Sequence, residues 1–248
     1  MSSAAIKLIQ NGALVVVNHS GGKDSQAMFA HLRTIVPANQ IIVVYADLGE
    51  VVWPGTKEHI KATIGELPLY IAAAAKGLLQ RVEERGMFPS PAMRWCTSDL
   101  KRDPIAKVIR QQAKARGAQV VISCEGLRAE ESCERAKKSA WELNRRLSSG
   151  SRTVYTWRPI LDWSTERVFE TIAAVGQEPH WAYASGMTRL SCAFCIMSSP
   201  EDLRTAAKLR ADLYARYVAI EKHLGLSMLM PKKGHGPRFL EDVTGIYA

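Results

Sequence analysis

The chain has 248 residues, 47% of them apolar, with 33 Lys and Arg against 24 Asp and Glu, a formal charge of +9. These proportions exclude global disorder and give enough apolar material for a substantial core. The cation surplus points to nucleic acid, to a polyanionic nucleotide or to a soluble basic surface.

Residues 1–22 carry one cation, Lys7, then a short apolar stretch that leads straight into a glycine motif, so they are not read as a signal peptide. No run of about 18 uncharged apolar residues exists to span a membrane. Five cysteines, an odd number in a long chain, point to a reducing, cytoplasmic setting. The thiols are then core residues, metal ligands or nucleophiles and not a disulfide framework.

Strand and helix signals alternate along the chain. Residues 13–17, ALVVV, read as a buried strand that stops at the turn cluster 18–22. Met28, Leu32, Ile35 and Val36 then fall on one helix face, and Pro37 ends that helix. Residues 41–45 make a second buried strand, a helix is expected to start near residues 54–56, and residues 67–71 suit a third strand. An Ala-rich helix is expected over about 72–85, ending at Gly86. Asp103-Pro104 reads as an N-cap followed by Pro at the first helical position, with Gly117 closing the helix. Strands follow at 119–123 and 154–160. Ser164 caps a helix with Val168, Ile172 and Val175 on one face, and Ser199-Pro200 opens a long helix carrying Leu203, Leu213, Tyr217, Ile220 and Leu224. The stretch 128–153 reads as an exposed basic helix and loop, and residues 230–239 as a mobile basic tail. This order predicts an α/β fold with a mostly parallel, twisted sheet and helices on both faces. The expected division is a nucleotide-binding domain over 1–200 and a C-terminal helical extension over 201–248.

Ser20-Gly21-Gly22-Lys23-Asp24-Ser25 lies between the first strand and its helix. Glycines there let backbone N–H groups approach an anion, the helix N-terminus adds partial positive charge, and Lys23 adds a full one. Ser20 and Ser25 can donate to phosphate oxygens. The spacing is not that of a Walker loop. A plain tight turn is the alternative.

The hexapeptide resembles the pyrophosphate-binding loop of the PP-loop ATP pyrophosphatases, the adenine nucleotide α-hydrolase superfamily. The turn Tyr45-Ala46-Asp47-Leu48-Gly49-Glu50 is similar to that of the sulfonucleotide, or phosphoadenosine phosphosulfate (PAPS), reductase branch. So are Arg94-Trp95-Cys96-Thr97 with Leu100-Lys101 and Pro104, Gly126-Leu127-Arg128 with Glu131-Ser132 and Arg135, and Pro159-Ile160 with Asp162-Trp163. Tyr183, Gly186 and Arg189 before Cys192-Ala193-Phe194-Cys195 complete the series. The resemblance implies that Ser20, Gly21, Gly22, Lys23, Asp24, Ser25, Asp47, Gly126 and Arg128 bind an adenine nucleotide, ATP or a PAPS-type or APS-type one, with Mg²⁺. It places Lys23, Asp24 and Lys101 at the catalytic centre.

Cys192 and Cys195 form a C-x-x-C pair, two thiolates within reach of one metal. In the reductases an iron–sulfur cluster sits on a Cys-Cys pair and a later C-x-x-C. Trp95 takes the first position of that pair here, so the resemblance supplies Cys96, Cys192 and Cys195 as three ligands of a [4Fe–4S] cluster with one open iron. Structural zinc and no metal are the alternatives, and Cys133 is a spare thiol that can add a fourth ligand. The reductases also use a C-terminal tail cysteine as nucleophile, whereas this sequence has none after Cys195 and offers His235 and Arg238. The pattern resembles the sulfur-transfer protein of DNA phosphorothioation.

Arg128 and Arg135 suit phosphates, with pairing to Glu130, Glu131 and Glu134 as the alternative. The run Arg135, Lys137, Lys138, Arg145, Arg146, Arg152 and Arg158 is read either as a nucleic-acid contact or as a solvated face. Trp141, Trp157, Trp163 and Trp181 suit base stacking or core packing. The expected function is adenylation of a substrate with pyrophosphate release, followed by sulfur transfer. A sulfonucleotide reductase and a nucleotide-binding module without turnover are the rivals. Expected partners are the adenine nucleotide and a sulfur donor such as a cysteine desulfurase; nucleic acid stays open, a dimer is compatible, and no membrane is implied.

Overall fold

The computed structural model describes residues 3–231, 234 and 236–247. The chain opens with α1 (Ser3–Gln10), a helix the sequence reading did not assign, then β1 (Leu14–Asn18), α2 (Lys23–Arg33), β2 (Ile41–Asp47), α3 (Thr56–Ile64) and β3 (Leu69–Ala73). It continues through α4 (Leu78–Arg85), the short α5 (Trp95–Thr97), α6 (Asp103–Ala115) and β4 (Val120–Glu125). The remainder comprises α7 (Cys133–Ala136), β5 (Trp141–Leu143), β6 (Thr153–Trp157), α8 (Thr165–Ala174), α9 (Trp181–Ala184), α10 (Pro200–Leu209), α11 (Ala211–Leu224) and α12 (Leu240–Thr244).

Six strands form one sheet in the order β3-β2-β1-β4-β6-β5. β1 pairs in parallel with β2 and β4, and β4 in parallel with β6; β5 returns antiparallel on β6. The α/β, mostly parallel sheet expected from the alternation is present. Central β1 is buried on both faces, as its unbroken Val15-Val16-Val17 requires. Two apolar clusters cover the sheet, one containing Val15, Val17, Met28, Leu32 and Ile172, the other Val16, Ile42, Ile109 and Val121.

Several boundaries differ from the sequence expectation. Ala72 and Ala73 finish β3, and the helix expected over 72–85 begins only at Leu78, after Gly77 as N-cap. Asp103 is not an N-cap, because a π turn over Ser98–Arg102 runs straight into α6 and leaves Asp103 helical. The stretch 128–153 contains strand β5, held by its pairing to β6 and by Trp141 stacked on Tyr155 at 4.8 Å. The long helix after Ser199 breaks at Arg210, whose φ of −135° and ψ of 55° are not helical. The Arg210 guanidinium explains the break, since it donates to the Val52 and Glu50 carbonyls at 2.6 and 2.8 Å. Val175 falls beyond α8 and is exposed, while Ser164 does cap α8 by accepting the Arg167 N–H. His235, named for phosphate contact, lies outside the described residues, as does part of the basic tail.

Two compact units do not follow chain order. The first gathers residues 1–46, 55–72 and 105–180, with the sheet and both apolar clusters; the second gathers 47–54, 73–104 and 181–248. In the second, Glu221, 1% exposed, accepts the N–H groups of Met228 and Leu240 and so anchors the segment leading into α12.

Candidate functional site

In the first unit, the carboxyl ends of β1 and β4 are tied by Asn18, whose amide donates to Ser123 Oγ at 2.9 Å and to the Cys124 carbonyl at 2.8 Å. β2 lies on one side of β1 and β4 on the other. This reversal of strand order is the switch point at which open α/β sheets take ligands. The turn Ser20-Gly21-Gly22 leaves β1 there, and Lys23 begins α2. Gly21 has φ of 80°, a left-handed conformation that a residue with Cβ adopts only with strain. No side chain caps α2, unlike α8 and α10, so the positive end of its dipole is open at the turn.

His19 braces the turn from inside. It is 1% exposed, its Nδ1 accepts the Gly21 N–H at 3.0 Å, and its Nε2 lies 3.5 Å from Thr63 Oγ1. An accepting Nδ1 puts the ring proton on Nε2. Burial, with His59 nearby, pushes the His19 pKa down to about 3, so the ring is neutral. Ser25 closes the loop: its Oγ donates to the Gly22 carbonyl at 2.8 Å and accepts the Ser20 N–H at 3.1 Å.

The charged residues form a chain. Lys23 Nζ lies 3.0 Å from Asp24 Oδ2, and Asp24 Oδ1 accepts from Arg128 Nε at 2.6 Å. Arg128, 3% exposed, also donates from Nη1 to Glu130 at 2.5 Å and to the Trp163 carbonyl at 3.3 Å. Two cations are thus set against two carboxylates, and the Arg128 fork is engaged by protein in this structure. Of the two sequence readings, the structure displays the ion-paired one for Arg128, and likewise for Arg135 with Glu131. Gly126 is explained by packing: a Cβ there would stand 2.9 Å from both the Cα and the N of Ser25. The structure therefore brings Ser20, Gly21, Gly22, Lys23, Asp24, Ser25, Gly126 and Arg128 together.

The second unit holds the other candidates. Asp47 Oδ1 accepts the Gly49 N–H at 2.9 Å and so stabilises its own turn. Cys96 lies on α5, and Cys192 and Cys195 in the loop before α10; all three are half-buried. That loop is pinned by the Ala193 N–H donating to the Val51 carbonyl at 2.8 Å and by Phe194, 5.1 Å from the Tyr217 ring. Cys96, Cys192 and Cys195 lie within electrostatic reach of one another, and Lys101 within reach of Cys96 and Cys192. Burial raises the Cys192 pKa to about 11 and raises that of Cys96 too, while Lys101 pulls both down. Among the described residues, no three His, Cys, Asp or Glu side chains converge tightly enough to hold a single metal ion. The buried Tyr217 hydroxyl and Trp95 Nε1 have no hydrogen-bond partner among the described residues. Neither orphaned donor was foreseen from the sequence, where Tyr217 read only as part of an apolar stripe. Cys124 is core, with its thiol pKa raised by burial, and Cys133 is exposed.

A glycine turn and an uncapped helix at the switch point, with a lysine at the helix start, define an α/β nucleotide-binding domain of PP-loop type. The chain belongs to the phosphoadenosine phosphosulfate reductase domain family, whose model matches residues 14–198. It is 32% identical over 133 residues to an uncharacterized 37.8 kDa protein of the gpa 5′ region of Escherichia phage 186. That match takes in 54% of this chain and 36% of the phage protein, so the matched part is about a third of that relative's length. Among solved structures it is similar to the PAPS reductase of Candida auris in a phosphate complex, with 12% identity, a TM-score of 0.48, and coverage of 77% of this chain and 96% of that one. It is also similar to the FMN adenylyltransferase of Candida glabrata bound to FAD and inorganic pyrophosphate, with 14% identity, a TM-score of 0.47, and coverage of 73% and 55%. Among the described residues, no helix is long and apolar enough to cross a membrane.

Proposed function

We propose that the chain binds ATP with its phosphates at the Ser20–Ser25 turn and catalyses attack of a substrate oxygen on the α-phosphorus. The new bond joins that oxygen to the α-phosphorus, the α–β bridging bond breaks, and pyrophosphate leaves with its electron pair. Catalysis is by positioning and charge neutralisation, with no protein nucleophile. The observation that carries this reading is the loop itself: Gly21 in a left-handed turn, an uncapped helix end behind it, and Lys23 at its start. Lys23 and the helix end take the charge of the leaving pyrophosphate, and Asp24 sets the Lys23 ammonium in place. Mg²⁺, where used, needs few protein ligands because nucleotide oxygens and water complete its shell.

The three thiols suit an iron–sulfur cluster better than zinc. Zinc draws four ligands to one point, whereas a cluster spreads its ligands around a volume and receives hydrogen bonds at its sulfurs. Cys96, Cys192 and Cys195 would hold it, with the Tyr217 hydroxyl, unpaired among the described residues, within electrostatic reach of all three. Bound, it supplies sulfur or electron transfer. The test is pyrophosphate release from ATP by anaerobically prepared protein across candidate acceptors: release lost in Lys23→Ala supports the reading. Sulfite release from PAPS with an added dithiol as the two-electron donor, and no pyrophosphate from ATP, supports the sulfonucleotide reductase reading instead, with which the family match is compatible.

A further inference from the structure

The cations that the sequence grouped as one basic run separate in the fold. Lys137 pairs with Glu134, Arg135 with Glu131, and Arg158, 6% exposed, with Glu125 and Glu142. A different set gathers at the other edge of the sheet. Residues 104–124 contain four cations and no acid, and Lys107, Arg110 and Lys114 repeat at i, i+3 and i+7 along α6. All three are exposed, as is Arg116, and among the described residues none of the four forms an ion pair.

Two adjoining clefts open beside this face. One of about 430 Å³ is lined by Arg110, Lys114, Ser151 and Arg152, and the other, about 550 Å³, by Asn11, Asn39, Gln40 and Arg116. Both are bordered by Gly117, Ala118 and Gln119. Their lining residues directly precede β1, β2, β4 and β6, which are parallel, so the clefts lie at the amino edge of the sheet. The phosphate turn lies at the carboxyl edge. The five residues of β1 separate the two edges by about 16 Å at ~3.3 Å per residue.

We infer that this amino-edge face is a docking surface for a nucleic-acid backbone, separate from the nucleotide site. A row of exposed cations, with Asp103 at the start of α6 as the helix's one acid, is the electrostatic footprint of phosphodiester binding. The clefts are lined by Asn, Gln and Ser beside the Arg side chains, groups that contact phosphate and sugar oxygens without reading sequence. An anionic membrane is the poorer match, because the exposed positions of α6 carry no large apolar side chain to insert. The surface therefore anchors a polyanion and performs no chemistry on it.

The test is fluorescence anisotropy of the full chain with labelled DNA and RNA duplexes over a salt series, without nucleotide. The expected result is binding whose log K falls linearly with log salt. The variant Lys107→Gln/Arg110→Gln/Lys114→Gln should weaken it at least about tenfold at low salt and flatten the slope by about 2 to 3. Lys137→Gln/Lys138→Gln should leave it unchanged, and the triple variant should keep the wild-type melting temperature and ATP affinity. No duplex binding by the wild type, or an unchanged slope in the triple variant, overturns the inference. So does binding only to vesicles of anionic lipid.

Discussion

Arg128 reaches across 104 residues of sequence to place its Nε 2.6 Å from Asp24 Oδ1, one residue beyond the lysine that begins α2. Asp24 accepts from Lys23 with its other oxygen, so one carboxylate sets both cations of the turn. Both partners are largely removed from water, Lys23 at 7% and Arg128 at 3% exposure, which makes the arrangement costly to break on one side. Asp24→Asn removes the shared carboxylate and leaves Arg128 with Glu130 and the Trp163 carbonyl. The expected outcome is a loss of about 1–3 kcal/mol in denaturant unfolding, together with weaker ATP binding. Unchanged stability would show that the carboxylate does not hold the pair.

Gly126 permits a close approach of two backbone segments. A methyl group there meets Ser25 backbone at 2.9 Å, and backbone cannot rotate aside as a flexible side chain can. Gly126→Ala is expected to cost about 1–3 kcal/mol and to displace the start of α2, lowering ATP affinity by roughly tenfold or more, since 1.4 kcal/mol is a factor of ten. Calorimetric titration with ATP beside a thermal melt separates the two effects.

The buried His19 gives stability a defined pH dependence. Its folded pKa of about 3 lies below the ordinary value of 6.5, so the unfolded chain binds the extra proton between those limits. Stability is then full above pH 6.5 and falls as the pH drops, by up to about 1.4 kcal/mol per unit from this group. His31 and His59, also depressed mainly by burial, add to the slope in the same direction. Denaturant midpoints between pH 7 and 5 should show a shallower slope in His19→Gln than in the wild type, at lower overall stability. Equal slopes would exclude His19 as the source.

On the cluster reading, anaerobic reconstitution should give iron and sulfide in the wild type and lose both in Cys192→Ala. Tyr217→Phe should retain the iron yet shift the reduction potential or the EPR signal, because it removes a buried donor with no partner among the described residues. Stoichiometric zinc without iron contradicts the cluster itself, whereas iron with an unaltered Tyr217→Phe spectrum contradicts only the role of Tyr217.

The parallel sheet and the glycine turn before α2 were legible because each rests on neighbours in sequence: an unbroken Val run for β1, then glycines and Lys23. Gly126 and Arg128 were named, but their contacts with Ser25 and Asp24 were not, since those residues lie about a hundred positions away; the local candidates Glu130 and Glu131 were weighed and Asp24 was not. The break at Arg210 escaped for the same cause, its acceptors being carbonyls at Val52 and Glu50. The basic face of α6 was hidden because that helix was read for its ends, Asp103-Pro104 and Gly117, and not for Lys107, Arg110 and Lys114 along it.

The most direct measurement is titration calorimetry of ATP and of PAPS into the full chain, run in parallel with Lys23→Ala. The expected result is saturable one-site nucleotide binding that Lys23→Ala weakens by at least about tenfold, as loss of a charge-assisted phosphate contact of about 1.5–3 kcal/mol requires. Absence of binding to either nucleotide, or equal affinity in Lys23→Ala, would contradict a phosphate site at the Ser20–Ser25 turn.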